Sequence, residues 1–169
     1  MDTAAERFVY RIREDGGGPQ KAVPNAVGFF YGVSPDAKSL AVLEGRTVLV
    51  YPTAGGRPTA VCSAICGAAG GENRGITPPA VSWSQDGNFL YMNVRRGGEI
   101  VAVPLPTGRN LPLLPASGVH TVAEAEALPG AHVIHEQRAY MGPNPSVYAF
   151  VRATAQRNIY RVSLQRGRV

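Results

Sequence analysis

Short apolar runs rich in Val, Leu, Ile and aromatic residues alternate along the chain with clusters of Gly, Pro, Asp and Asn, the pattern of an all-β protein. These runs predict strands at 27–33, 39–44, 47–52 and 58–62, then at 79–84, 89–94, 99–105 and 111–114, and then at 132–136, 146–152 and 157–164. Phe8 to Ile12 and the stretch after Gly16-Gly17-Gly18-Pro19 add two more at the front, about thirteen in all. Successive side chains of a strand point to opposite faces, so Leu90, Met92 and Val94 share one face while Phe89 and Tyr91 lie on the other. Val101 and Val103 oppose Ile100 and Ala102 in the same way. Both faces are apolar, so these sheets need a neighbour on each side.

The pattern also repeats. Val33-Ser34-Pro35-Asp36-Ala37-Lys38-Ser39-Leu40 returns about 50 residues later as Trp83-Ser84-Gln85-Asp86-Gly87-Asn88-Phe89-Leu90. Each copy precedes a second apolar run, Val48 to Thr53 and then Ile100 to Leu105. A third copy keeps Ser146 to Val151 and Asn158 to Leu164, with Gly142-Pro143-Asn144-Pro145 as its turn. Repeated, doubly buried, four-stranded units predict a partial β-propeller of four-stranded antiparallel blades, about three to three and a half of them. A two-sheet sandwich or barrel would leave the repeat unexplained. The single domain over 1–169 divides into the end of a blade at 7–22, blades at 27–62 and 79–115, and a last blade at 131–164 lacking its outer strand. Beginning in mid-repeat, the chain amounts to about half of a closed ring, and its open sheet edges favour self-association.

Asp36 and Asp86 stand at the same place in their units, where a carboxylate accepts from backbone amides one or two residues on. Gly87 suits a left-handed position, whereas Ala37 would cost about 1 kcal/mol there, which predicts a distorted or different turn. One short helix is expected between blades. Thr121 and Glu124 have capping-box spacing, Ala125 to Leu128 continue it, and Pro129-Gly130 end it.

Composition narrows the chemistry. The hydrophobic fraction of 44% supports a core, and 20 Gly with 14 Pro fit frequent turns. The net charge of +5 is scattered, with no basic run, which argues against nucleic acid. The charged first fifteen residues leave no apolar core for a signal peptide, and no stretch is apolar for long enough to span a membrane. Cys62 and Cys66 lack further ligands for zinc, leaving a local disulfide or two thiols. His132 and His135 would leave a strand on opposite faces, so no shared metal is expected, and no cofactor is implied. Gly67 to Gly75 lacks the Lys-Ser/Thr of a phosphate loop. Glu124 and Glu126 read as a solvated helix face. The loop carrying Asn93, Arg95 and Arg96, with Glu99 beyond, is the first candidate binding site, suited to an acidic or peptide partner.

Ser34-Pro35-Asp36-Ala37-Lys38, Trp83-Ser84-Gln85-Asp86-Gly87-Asn88 and Asn158-Ile159-Tyr160-Arg161-Val162 resemble the WD-repeat-like units of TolB-type β-propellers. Val33 stands for the usual aromatic, Gln85 for Pro and Ala37 for Gly. Ala131 to Ile134, Ser146 to Phe150 and Gln156 to Arg161 resemble the end of propellers attached to bacterial receptor-type Ser/Thr protein kinases. That resemblance implies a non-catalytic interaction or sensor module, the C-terminal part of a propeller, with a kinase domain upstream. The kinase motifs themselves are absent from this sequence. Alternatives within the resemblance are a periplasmic TolB-like envelope protein, or the propeller part of a prolyl-oligopeptidase-type serine peptidase. For the last, Gly32-Val33-Ser34-Pro35-Asp36 is the nearest approach to a nucleophile motif, and it is the repeat turn instead.

Overall fold

The structure is a computed structural model that describes residues 6–66, 79–94, 98–136 and 139–150. It is mostly β, with four antiparallel sheets and almost no helix among the described residues. Strands β1 (Tyr10–Arg11) and β2 (Gln20–Lys21) pair as a short ribbon. The first large sheet has the order β3-β4-β5-β6, from Phe29–Val33, Ser39–Glu44, Thr47–Pro52 and Thr59–Ser63. The second joins β7 (Val81–Trp83), β8 (Phe89–Val94), β9 (Glu99–Pro104) and β10 (His132–Ile134) in that order. A last ribbon pairs β11 (Tyr140–Met141) with β12 (Tyr148–Ala149).

The layers stack in chain order. Leu40, Val42 and Tyr51 cover the face of the first sheet that meets Val9, Val23 and Val27 from the front of the chain. Its other face carries Ala41, Val48, Val50 and Val61, which bury against Leu90, Met92, Val94, Val101 and Val103 of the second sheet. Tyr91, Ile100, Ala102 and Ile134 form the opposite face of that second sheet and pack against Ala139 and Met141 at the next ribbon. The face assignments read from alternation therefore hold, and each large sheet is covered on both sides, because neither face carries enough polar groups to stand in water. β3 and β7, edge strands of their sheets, approach one another without pairing.

Several expectations change. Residues 111–114 form no strand, and the fourth strand of the second sheet is β10, paired through His132 to Ala102 and Ile134 to Ile100. Pro112 and Pro115 supply no N–H to a ladder, so the Leu-rich run between them is left as loop. The helix α1 (Val122–Glu126) consequently lies inside one sheet's connection, between β9 and β10, rather than between sheets. The Thr half of its capping box is as expected, with Thr121 Oγ1 accepting from Glu124 N at 3.1 Å, but Glu124 reaches the His120 N–H and the helix ends at Glu126, short of Leu128. In the third unit, Tyr140–Met141 pairs where no strand was expected, and the expected strand at 157–164 lies outside the described residues.

The two Asp turns are nearly superimposable in their bonding. Ser34 Oγ donates to Asp36 Oδ1 at 2.6 Å, and Ser84 Oγ to Asp86 Oδ1 at 2.5 Å. Lys38 N and Asn88 N donate to those carboxylates, each at 3.0 Å. Ser39 N and Phe89 N reach the Ser hydroxyls, each at 2.9 Å. Ala37 takes the left-handed conformation at φ 59°, beside 72° for Gly87, so the turn is kept and the strain accepted. Ala37→Gly is therefore expected to raise stability by about 1 kcal/mol in urea denaturation. A loss would mean that the residue leaves this conformation in solution.

Candidate functional site

The register of the second sheet separates two ends. Phe89 pairs with Pro104 beside the Asp86 turn, whereas Val94 pairs with Glu99 at the opposite end. Asn93 therefore sits at the far end from the Asp turns, half-buried, with its backbone N–H donating to Ala80 O at 2.8 Å. It borders a cavity of about 20 Å³ that also touches Ser82 and Tyr140. Arg95 and Arg96 lie outside the described residues. Glu99, at the same end, accepts from or pairs with His135 Nδ1 at 3.0 Å.

The better-formed concavity lies at the Asp-turn end. The chain leaves β9 and runs over residues 105–131 before returning as β10, and on the way it crosses to the first sheet. Asn110 makes the crossing. Its Nδ2 donates to Asp36 Oδ1 and Oδ2 at 2.9 and 3.0 Å and to Ser39 Oγ at 3.2 Å, while its carbonyl accepts from Trp83 Nε1 at 2.8 Å. One residue thus ties the first sheet's turn to the second sheet's edge. Further on, Val119 N donates to Val61 O at 2.9 Å and Val119 O accepts from Ser63 N at 3.0 Å, so this segment lies parallel on β6 and covers its edge.

Between the first sheet and residues 109–114 opens a hollow of about 410 Å³, with Ser39, Thr59, Arg109 and Asn110 on its polar side and Leu111 to Leu114 on its apolar side. This is within the size range of small-ligand and peptide pockets, roughly 300–1,000 Å³. A second hollow of about 230 Å³, almost wholly apolar, adjoins it, and both are bordered by Pro112 and Leu113. Leu113 is 63% exposed on the ridge between them. Neither Arg109 nor the groove was singled out by sequence, because the Leu-Pro run reads as a strand there. The prolines at 104, 106, 112 and 115 were the signal that it is not one.

Asp36 is held well below its ordinary value of 3.8, to about 2, first by the Ser34 hydroxyl, then by the Lys38 amide and Asn110. Asp86 is also lowered, first by the Ser84 hydroxyl and then by the Asn88 amide. A depressed carboxyl contributes stability above its unfolded value, and that contribution is lost as pH falls through the folded one. Wild-type stability is therefore expected to drop between about pH 4 and pH 2. The Asp36→Asn, Asp86→Asn double variant should show a flatter profile in denaturation midpoints over that window; parallel profiles would remove these carboxylates as the cause.

The other polar cluster is a helix-capping arrangement. His120 Nδ1 lies 2.6 Å from Ser63 Oγ and its Nε2 lies 3.1 Å from Ser117 Oγ. Glu124 accepts from the His120 backbone N–H at 2.7 Å, not from the ring, so no Ser-His-acid relay forms. Next to it Cys62 and Cys66 are joined in a disulfide, with Cα atoms 5.8 Å apart, which settles the alternative left open by sequence. Among the described residues no helix is long and apolar enough to cross a membrane. No family model, curated protein or solved structure matches this chain.

Proposed function

We propose that this chain is a non-catalytic protein-interaction or sensor module, built as part of a TolB-like β-propeller. The observation that carries this reading is the stacking of successive antiparallel sheets face to face in chain order, with the same Ser-x-Asp turn at the same end of each large sheet. The approach of edge strands β3 and β7 supports sheets arranged around a common axis. A rigid stack that carries a long crossing loop and an open groove at one end is the arrangement on which loop-borne binding surfaces are built. Phe29, Phe30 and Val33, exposed on the edge strand β3, support association with a further strand or a second copy.

The Cys62–Cys66 disulfide favours an oxidising compartment, which suits either a periplasmic TolB-like protein or the outer portion of a receptor-type kinase. Panning a displayed peptide library against the purified, folded chain tests the function. Enrichment of a related set of sequences is expected. No enrichment over the denatured chain would overturn the reading.

A further inference from the structure

We infer that the paired hollows beside Leu113 form a docking groove for a peptide that places a bulky apolar side chain near a carboxylate. This rests on the interaction-module reading and names the ligand chemistry of one site within it. The smaller hollow is lined by Val103, Leu105 and the rings of Pro104, Pro106 and Pro129, and so offers an aliphatic or aromatic side chain an apolar seat. Prolines have little freedom left to lose when a ligand covers them, so the wall is rigid before binding. The larger hollow continues past Pro112 and Leu113 to Arg109.

Arg109 fixes the charge of the occupant. It is the charged side chain that lines the hollow, is exposed, and takes part in no ion pair among the described residues. Asp36 is close in the network but already engaged: its carboxylate accepts from Ser34, Lys38 and Asn110. Asn110 in turn has its amide committed to that carboxylate and to Ser39, so it positions the loop rather than the ligand. That leaves the Arg109 guanidinium as the free charged donor at the groove, a planar fork matched to a carboxylate.

The test is a peptide array read against the folded chain and its variants. One set places Leu or Phe one to three residues from Asp or Glu, and matched sets carry Asn or Gln, or Lys, instead. A further pair lacks an internal acid and ends in a free or an amidated C-terminus, which separates a side-chain carboxylate from a chain terminus. Acidic peptides are expected to bind about fivefold or more tightly than their amide counterparts. Arg109→Glu should abolish that preference, and Leu113→Asp should weaken all of them about tenfold, with thermal unfolding of both variants unchanged. Acid and amide peptides binding equally, or variants binding like wild type, would overturn the assignment. Loss of binding in Arg95→Ala, Arg96→Ala instead would move the site to the other end of the sheets and keep the module. No peptide binding at all would bring down the module reading together with this one.

Discussion

Gly118→Ala is expected to cost about 3 kcal/mol, a large effect for a single methyl group. Gly118 has φ +74°, where a Cβ is disfavoured by about 1–2 kcal/mol. A Cβ built there lies 2.8 Å from both the carbonyl carbon and the oxygen of Val61, and 3.1 Å from the carbonyl carbon of Ala60. Those atoms are backbone of β6 and cannot turn aside as a side chain would. The segment must lift, and the two hydrogen bonds joining Val119 to Val61 and Ser63 go with it, each contributing about 1 kcal/mol. Gly16→Ala is the control. It has φ +83° but open space around its Cβ, so it should lose about 1 kcal/mol only. Equal losses for the two in urea denaturation would show that residues 117–120 do not sit on β6.

Leu90→Ala tests the packing between the two large sheets and should also cost about 3 kcal/mol, within the range for a buried Leu. Leu90 is fully buried and lies on the face of β8 that meets Ala41, Val48 and Val50. A sheet packed on both faces collapses poorly around a missing isobutyl group, because closing the gap on one strand opens the ladder of its neighbour. The expected fall in melting temperature is roughly 6–12 °C. Leu113→Ala, at an exposed position, should change stability by no more than about 0.5 kcal/mol. A small loss at Leu90 would mean that the two sheets do not bury these faces against each other.

Much of the sheet structure is legible in the chain because its causes are local. Strands β3 to β6 follow each other through short connections, and alternation in Leu40, Ala41, Val42 states directly which side chains meet which layer. The Ser-x-Asp turn and the Thr121 cap are likewise bonds between residues a few positions apart. Where the partner is distant, the signal fades. His132–Ile134 reads as a strand, but three residues carry nothing that selects the second sheet over a third. Asn110 is an ordinary loop polar residue until its partner, 74 positions away, is in place. The groove depends on both of these, and so it emerges only with the fold.

Residues 105–131 can also be considered as an insertion. β9 and β10 are neighbours in one sheet, and Gly130 lies so close to Pro104 that an added Cβ would meet the ring at 2.8 Å. A tight hairpin could join the two strands, and the sheet taken alone has no need of the detour. Deleting it would nevertheless remove the tie to Asp36, the cover on β6 and the Leu- and Pro-rich side of the groove at once. The detour makes the second sheet's connection part of the first sheet's structure, so that neither sheet is complete without the other.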